Sequence, residues 1–212
     1  MAYVLGYFAA DGSMIEHKNG GRYIEFTSTD KILLQKIRNV VSSNHALSKR
    51  ILYNDKWKQQ YRFQVGSRRW FGDLISLGFT PSKSNTMCFP DIPQTYMADF
   101  IRGYFDGDGC VYFKRLNYAD RPRARWVVLS LFTSGSRDFL EKLHTYLKQY
   151  GITKGSLKSK KHGFELVLSH HDSLALYKLM YHTSPTTELY LPRKYKLFSK
   201  AMQTLYPDAV VA

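Results

Sequence analysis

The stretch YVLGYFAADG, at residues 3–12, returns as FIRGYFDGDG at residues 100–109. Both copies contain the pattern G-Y-F-x-x-D-G, and the similarity continues downstream, where the triplet FTS at residues 26–28 is repeated at residues 132–134. An internal repeat that preserves its order over this length predicts two similar structural units within one chain. The two motifs therefore set the expected organisation of the whole fold.

Each half is predicted to contain the same order of helices and strands. Apolar residues at helical spacing follow each FTS triplet, and Asp30 and Ser136 are expected to cap these helices. Alternating apolar and polar residues then predict paired strands, which are followed by a short helix. These further elements are expected near residues 47–53, 60–66 and 69–77 in the first half, and near 153–158, 163–169 and 172–181 in the second.

The expected fold class is α+β, with two pseudo-symmetric αββαββα halves. We place the halves at residues 1–80 and 95–212, joined by a proline-rich linker at residues 81–94, which should be extended chain. Each half should form an antiparallel sheet with its helices on one face. We expect the polar alternate residues of the strands to form the other face.

Each motif places two small residues four positions apart, Gly6 with Ala10 and Gly103 with Gly107. Residues at positions i and i+4 lie on the same face of a helix. A glycine inside a helix costs about 0.5–1 kcal/mol relative to alanine, so Gly6 and Gly103 are expected to serve a close contact. The two motif helices are therefore predicted to pack side by side.

Each motif helix is expected to end in an acid followed by glycine, at Asp11-Gly12 and Asp108-Gly109. Glycine is favoured just after a helix because it adopts the left-handed conformation. An acid at this end is unfavourable by about 0.3–1 kcal/mol, since the helix C-terminus carries partial negative charge. Two carboxylates brought together also repel each other. These costs predict a bound cation between Asp11 and Asp108.

The charge balance indicates a polyanionic partner. The chain has 31 Lys and Arg against 17 Asp and Glu, a formal net charge of +14. No run approaches the ~20 apolar residues of a membrane span, and no signal peptide is visible. Basic residues alternate with apolar and aromatic ones, a mixture typical of nucleic-acid surfaces. We expect an intracellular protein, in the cytoplasm or nucleoid of a microbe or phage host, or in an organelle.

The segments 5–12 and 102–109 resemble the two signature motifs of the LAGLIDADG homing endonucleases, in the single-chain type that carries both motifs. The resemblance covers nearly the whole chain, including FPDIP at residues 89–93 and LYLPRKY at residues 189–195. It implies an intron-encoded or free-standing monomer that cleaves both strands of a long double-stranded DNA target. The two sheets would form a DNA-binding saddle, with the helices on the opposite face.

In this family the last acid of each motif binds a divalent metal at the centre of the DNA site. The resemblance gives this role to Asp11 and Asp108, with the carbonyl oxygens of Ala10 and Gly107 as further ligands. Hard oxygen ligands suit Mg²⁺, which keeps several waters and binds phosphate oxygens. Mn²⁺ or Ca²⁺ is expected to substitute in binding.

The first half departs from the family pattern at Ala9, where the second half has Asp106. In relatives this earlier acid is usually not the metal-binding one. We therefore expect the activity to be retained in two unequal halves.

A basic residue beside the scissile phosphate would position water and neutralise developing charge. In relatives this residue lies where the fourth strand of each half meets the following helix, which selects Arg68 and His171 here. The run His170-His171-Asp172 could also suggest a metal site or a triad, but no serine nucleophile motif accompanies it. Helix capping by Asp172 is the preferred interpretation of the acid.

The strands and their hairpin tips are expected to reach the major groove, where a two-stranded ribbon fits and Arg and Gln read purine edges. About half of the candidates should contact phosphates only. The candidate DNA-binding residues are Lys18, Arg22, Lys49, Arg50, Lys56, Lys58, Gln60, Arg62, Gln64, Lys114, Arg115, Arg121, Arg123, Arg125, Lys158, Lys160 and Lys161.

Two other functions fit the same fold. One is an RNA-binding maturase that assists intron splicing, and the other is a DNA-binding regulator without catalysis. Both can lose the metal-binding acids, whereas Asp11 and Asp108 are present here. An intein is not expected, because the sequence shows no splicing nucleophile and no terminal His-Asn pair.

Overall fold

The computed structural model describes residues 1–51, 56–83, 85–117, 119, 123–182 and 189–210. The first half contains α1 (Ala2–Asp11), β1 (Gly12–Glu16), β2 (Arg22–Ser28), α2 (Lys31–Val40), β3 (Leu47–Lys49), β4 (Tyr61–Gly66) and α3 (Arg68–Ser76). The second half contains α4 (Gln94–Asp108), β5 (Gly109–Leu116), β6 (Arg125–Ser134), α5 (Arg137–Lys148), β7 (Ser156–Lys160), β8 (Gly163–Ser169), α6 (His170–Tyr181), α7 (Pro192–Leu205) and α8 (Pro207–Val210).

The described strands form two four-stranded antiparallel sheets with the same topology, β1-β2-β4-β3 and β5-β6-β8-β7. The predicted α+β class and its two repeated αββαββα units are confirmed. The second half adds α7 and α8, which were not predicted. Pro192 occupies the first turn of α7, where its missing N–H costs nothing. None of the helices in the described residues is long and apolar enough to cross a membrane.

Both predicted helix caps are present. The Asp30 side chain accepts a hydrogen bond from Leu33 N at 3.1 Å, and the Ser136 hydroxyl accepts one from Phe139 N at 3.2 Å. Each bond satisfies a backbone donor that the first turn leaves without a partner. The helices α2 and α5 therefore begin at matched positions, and each packs its apolar side on its own sheet.

The motif helices α1 and α4 cross at the centre of the molecule, as their small residues predicted. A Cβ added to Gly6 would overlap the Phe100 carbonyl oxygen, and one added to Gly103 would overlap the Tyr3 carbonyl oxygen. The backbones touch at these two points, so neither position has room for a side chain. This contact joins the two halves along their axis of pseudo-symmetry.

The glycines after the motif helices serve a purpose other than the predicted one. Gly12 and Gly109 have extended backbones, with φ of −86° and −88°, and are not left-handed. Each begins a strand immediately after its helix. A Cβ on Gly12 would lie 2.7 Å from the Phe8 carbonyl oxygen, and one on Gly109 would overlap the Phe105 ring. Lack of space therefore requires glycine at both positions.

The open faces of the two sheets, which point away from the helices, differ in chemistry. In the first half this face is polar and includes Glu25 and Gln64, which pair across β2 and β4. In the second half the corresponding alternate positions hold Leu131 and Val167, which pair across β6 and β8. The expectation that polar residues form this face is wrong for the centre of the second sheet, because apolar residues occupy both faces there.

Candidate active site and nucleic-acid interface

Asp11 and Asp108 lie together where the two motif helices end. A Cβ on Gly107, next to Asp108, would be 3.4 Å from Asp11 Oδ2, so the second helix ends against the first acid. Burial raises the pKa of Asp11, and it raises the pKa of Asp108 to about 6 with a further increase from the negative charge of Asp11. The pair therefore favours a shared proton or a bound cation.

Two buried lysines reach the same helix ends, and the sequence interpretation missed them. Lys83 Nζ donates to the carbonyl oxygens of Ala9 at 2.7 Å and Ala10 at 3.4 Å. Lys194 Nζ donates to the carbonyl oxygens of Phe105 at 2.7 Å, Asp106 at 2.7 Å and Gly107 at 3.2 Å. The pattern P-x-K occurs at residues 81–83 and 192–194, and this short repeat could have indicated both lysines from the sequence.

The two lysines interact with the acids across the halves. Burial lowers the pKa of Lys83 to about 8, and the charge of Asp108 opposes this decrease more strongly than that of Asp11 does. Burial also lowers the pKa of Lys194 to about 8. Lys194 is in turn the cation that most lowers the pKa of Asp11. Each ammonium group binds the backbone of its own half and acts electrostatically on the acid of the other half.

These lysines reduce the electrostatic cost of placing two acids at helix C-termini. Positive charge at the helix C-termini is supplied by the protein itself, so the acids alone do not demand a metal. The carbonyl oxygens of Ala10 and Gly107, which are predicted metal ligands, accept hydrogen bonds from Lys83 and Lys194. A carbonyl oxygen has two lone pairs, so this contact leaves each one able to accept a second partner.

The donor set still fits a hard divalent ion. Within the described residues, no group of three or more His, Cys, Asp or Glu side chains lies close enough to hold a metal. Two carboxylates suit an ion such as Mg²⁺, which keeps waters and takes phosphate oxygens to complete its shell. Asp11 and Asp108 are therefore the residues that would hold it.

Asp106 makes the second half different from the first. Its Oδ2 atom accepts hydrogen bonds from Tyr3 Oη at 2.7 Å and Leu191 N at 2.8 Å. It thus ties the start of α1 to the start of α7, the helix that carries Lys194. Burial raises the pKa of Asp106 to about 6. Ala9 occupies the matching position in the first half and makes no such link.

A cleft of about 270 Å³ lies beside Asp11 and contains two of the predicted DNA-binding residues. Arg50 and Gln60 line it, together with Arg193 at the start of α7. The end of β3 brings them there, because Arg50 N donates to the Gln60 carbonyl oxygen at 2.9 Å. A cation and an amide therefore lie close to the first acid.

The structure does not bring Arg68 to the acids. Gly12, which follows Asp11, pairs with Phe26, whereas Ser67 N donates to the Arg22 carbonyl oxygen at the other end of β2. Four residues of strand separate the two ends, roughly 13 Å. The fourth strand runs away from the acids, so its junction with α3 is at the far end of the sheet. The catalytic assignment of Arg68 therefore stays a prediction that this geometry does not support.

His171 lies at the corresponding far end of the second sheet. Its ring is exposed and contacts Tyr206, with the ring centres 5.4 Å apart. Asp172 is buried and accepts hydrogen bonds from the backbone N–H groups of Thr153 and Lys154. The start of α6 has no side-chain cap, so the predicted capping by Asp172 is wrong. The catalytic assignment of His171 likewise stays a prediction that the geometry does not support.

The other DNA-binding candidates fall into four groups, by strand register and position in the chain. The open faces carry Arg62, Gln64, Lys114, Arg125, Lys158 and Lys160. The hairpin connections carry Lys18, Lys56, Lys58, Arg123 and Lys161, all exposed. Strand alternation turns Arg22, Lys49 and Arg115 toward the helix side, against expectation. Arg121 lies outside the described residues.

Arg22 shows why the helix-side group is poorly placed for DNA. Its Nε atom bonds Glu16 Oε1 at 3.0 Å, and its guanidinium lies 5.4 Å from the centre of the Phe71 ring on α3. These contacts hold it on the side of the sheet that carries the helices. Arg62, on the open face, instead donates to the Ser48 hydroxyl at 3.3 Å and lies near Glu25.

The fold and the site define a two-motif protein with paired acids at the crossing of its motif helices. The sequence profile of the LAGLIDADG-like domain matches residues 1–74 and 95–178, so the chain belongs to the LAGLIDADG family. The two matched segments contain the two motifs, and they confirm the resemblance seen in the sequence.

Solved structures of LAGLIDADG proteins share this fold over nearly the whole chain. The meganuclease I-AabMI bound to uncleaved DNA has a TM-score of 0.62 at 13% identity, covering 95% of this chain and 88% of that one. The homing endonuclease I-WcaI bound to its DNA recognition sequence has a TM-score of 0.60 at 14% identity, covering 93% and 84%. At these identities the likeness concerns the fold alone.

Curated relatives match this chain over only a small part of their own length. Reverse gyrase of Methanocaldococcus jannaschii is 35% identical over 105 residues, which cover 50% of this chain and 6% of that protein. RNA polymerase subunit Rpo1C of the same organism is 25% identical over 173 residues, covering 79% and 18%. The replication factor C small subunit of Thermococcus kodakarensis is 28% identical over 169 residues, covering 77% and 17%.

Proposed function

We propose that this chain is a site-specific homing endonuclease that cleaves both strands of a double-stranded DNA target by metal-dependent hydrolysis. The observation that carries the proposal is the meeting of Asp11 and Asp108 at the contact between the two halves. Each acid directly precedes the edge strand of its sheet, β1 or β5. A duplex lying along both faces would therefore pass over the acids.

The acids, the buried lysines and Arg50 would have different roles in the reaction. Asp11 and Asp108, when deprotonated, would hold Mg²⁺, which lowers the pKa of bound water and stabilises the attacking and leaving oxygens. Lys83 and Lys194 place buried positive charge where negative charge develops on the phosphate. Arg50 is placed to bind a phosphate oxygen near Asp11. A single chain supplies both acids, so a monomer is sufficient.

The matches to curated relatives support the proposal that this chain is a mobile element. Similar regions occupy small parts of three proteins whose names denote different tasks. A segment that recurs inside unrelated proteins behaves as an inserted element, which agrees with homing. The maturase and the non-catalytic regulator remain alternatives that the experiment below distinguishes.

The test is cleavage of a plasmid library that carries a randomised segment, with and without Mg²⁺. Sequencing of the cut ends should show cleavage at one preferred sequence with Mg²⁺ and none with a chelator. The Asp73→Asn variant, altered at an exposed acid on the helix side, should cut like the wild type. Retention of duplex DNA without cleavage at any Mg²⁺ concentration would contradict the nuclease, and selective retention of RNA would favour the maturase.

A further inference from the structure

The open face of the second sheet carries a cluster of apolar side chains. Val127, Leu129 and Leu131 on β6 point to this face, and Val167 on β8 lies beside Leu131. All four are half-buried, because they shield one another while their outer sides reach solvent. We call these four residues the apolar patch.

The first sheet provides an internal comparison. In each sheet the glycine after the motif pairs with a phenylalanine, Phe26 in the first and Phe132 in the second. The residue before that phenylalanine is Glu25 in one sheet and Leu131 in the other. Gln64 bonds Glu25 at 3.3 Å, whereas Val167 packs next to Leu131. Matched positions thus offer hydrogen-bonding groups in one half and only methyl groups in the other.

Basic side chains surround the apolar patch on the same face. Lys114 pairs with Val127, and Arg125 lies two residues before it on β6. Lys158 and Lys160 follow on β7 beyond Val167, and Lys160 forms an ion pair with Glu165 of the same face at 2.7 Å. An apolar centre within a basic rim is complementary to a duplex, whose backbone is anionic and whose major groove contains one apolar group. A second copy of this chain would meet the same basic rim and be repelled.

That apolar group is the C5 methyl of thymine, which is the only methyl group that the four bases present in the major groove. Leu131 and Val167 cannot satisfy a donor or acceptor, so a purine edge facing them would lose its hydrogen bonds to water. We propose that the second half recognises thymine methyl groups through the apolar patch, whereas the first half reads polar base edges. This inference rests on the proposed function, because it requires a bound duplex.

The test compares two random duplex libraries, one with thymine and one with deoxyuridine, which differ only by the C5 methyl. Binding is selected with Ca²⁺ in place of Mg²⁺. We expect thymine enrichment on one side of the centre of the bound sequence, and its loss in the deoxyuridine library. In a fixed selected duplex, each uracil on that side should weaken binding about fourfold, as expected for one buried methyl group. Uracil on the other side should have little effect.

A substitution in the apolar patch tests whether the patch causes the preference for thymine. Val167→Thr keeps the shape of the side chain and replaces a methyl by a hydroxyl, so it should reduce the preference for thymine over uracil. Val40→Thr, at an exposed position on α2, is the matched control and should leave the preference unchanged. The inference would be overturned if Val167→Thr kept the preference for thymine over uracil, or if uracil weakened binding equally on both sides of the centre. Neither result would contradict duplex binding itself. Failure to retain any duplex would overturn the proposed function as well.

Discussion

Gly6 and Gly103 each lie against the backbone of the other motif helix. A Cβ on Gly6 would be 2.8 Å from Tyr104 N, and one on Gly103 would be 2.9 Å from Tyr7 N. The separation of the two halves, and hence of the two acids, depends on this contact. Because the contact is reciprocal, a larger side chain on either helix would move both Asp11 and Asp108.

Replacing Gly6 by alanine should therefore destabilise the protein. Forcing a methyl group into a filled contact costs typically about 1–3 kcal/mol, more than the helix propensity that alanine gains. The free energy of unfolding, measured by urea denaturation, should fall accordingly. Gly72→Ala is the control, since a Cβ there meets nothing within 4 Å, and it should leave stability unchanged or raised. Equal stability of the two variants would contradict the helix contact.

Replacing Lys83 or Lys194 by methionine should slow cleavage while DNA binding remains. Loss of one positioned charge near a developing oxyanion typically costs about 10²–10³-fold in rate. Single-turnover cleavage of a fixed target separates this rate from affinity. Lys200→Met, on the exposed side of α7, should cleave at the wild-type rate. If the Lys83 and Lys194 variants lost only affinity, these lysines would be binding residues without a part in the chemistry.

Metal binding should strengthen as pH rises through about 6, because Asp108 must lose its proton to bind a cation and its pKa is raised to about 6. Isothermal titration with Ca²⁺ between pH 5 and 8 measures this directly, together with the proton released. A calcium affinity that does not change over this range would contradict the raised pKa.

The same shift has the opposite effect on the stability of the metal-free protein. The folded state binds a proton at Asp108 more tightly than the unfolded state, so between about pH 4 and 6 stability falls as pH rises. Asp108→Asn removes this contribution. The metal-free variant should be more stable than the wild type at pH 7, by on the order of 3 kcal/mol, and the difference should shrink toward pH 4. If the stability difference between the variant and the wild type grew toward pH 4, the pKa of Asp108 would not be raised.

The repeat and the helix caps could be predicted from the sequence because each depends on local pattern. Glycine spacing also predicted the crossing of α1 and α4. The structure does not bring Arg68 and His171 to the acids. The direction in which the fourth strand leaves the acids is a property of sheet order and not of local sequence. Strand order instead places Arg50 and Gln60 beside Asp11.

Lys83 and Lys194 illustrate a second limit. Each follows a proline in a P-x-K pattern, but a charged residue outside a strand or motif is usually solvated. Their burial results from α7 and the linker folding back onto the helix ends. Leu131 and Val167 show the reverse case, because an apolar residue in a strand is normally assigned to the core, and only the pairing register shows that these two face outward.

The measurement that tests the central claim most directly follows the cutting of each DNA strand by Asp11→Asn and Asp108→Asn. A duplex labelled differently on its two strands is incubated with each variant and Mg²⁺, and binding is measured in parallel with Ca²⁺. The account predicts that both variants bind the duplex almost as the wild type does, and that each fails to cut at least one strand. Cleavage of both strands at the wild-type rate by either variant would contradict the assignment of Asp11 and Asp108.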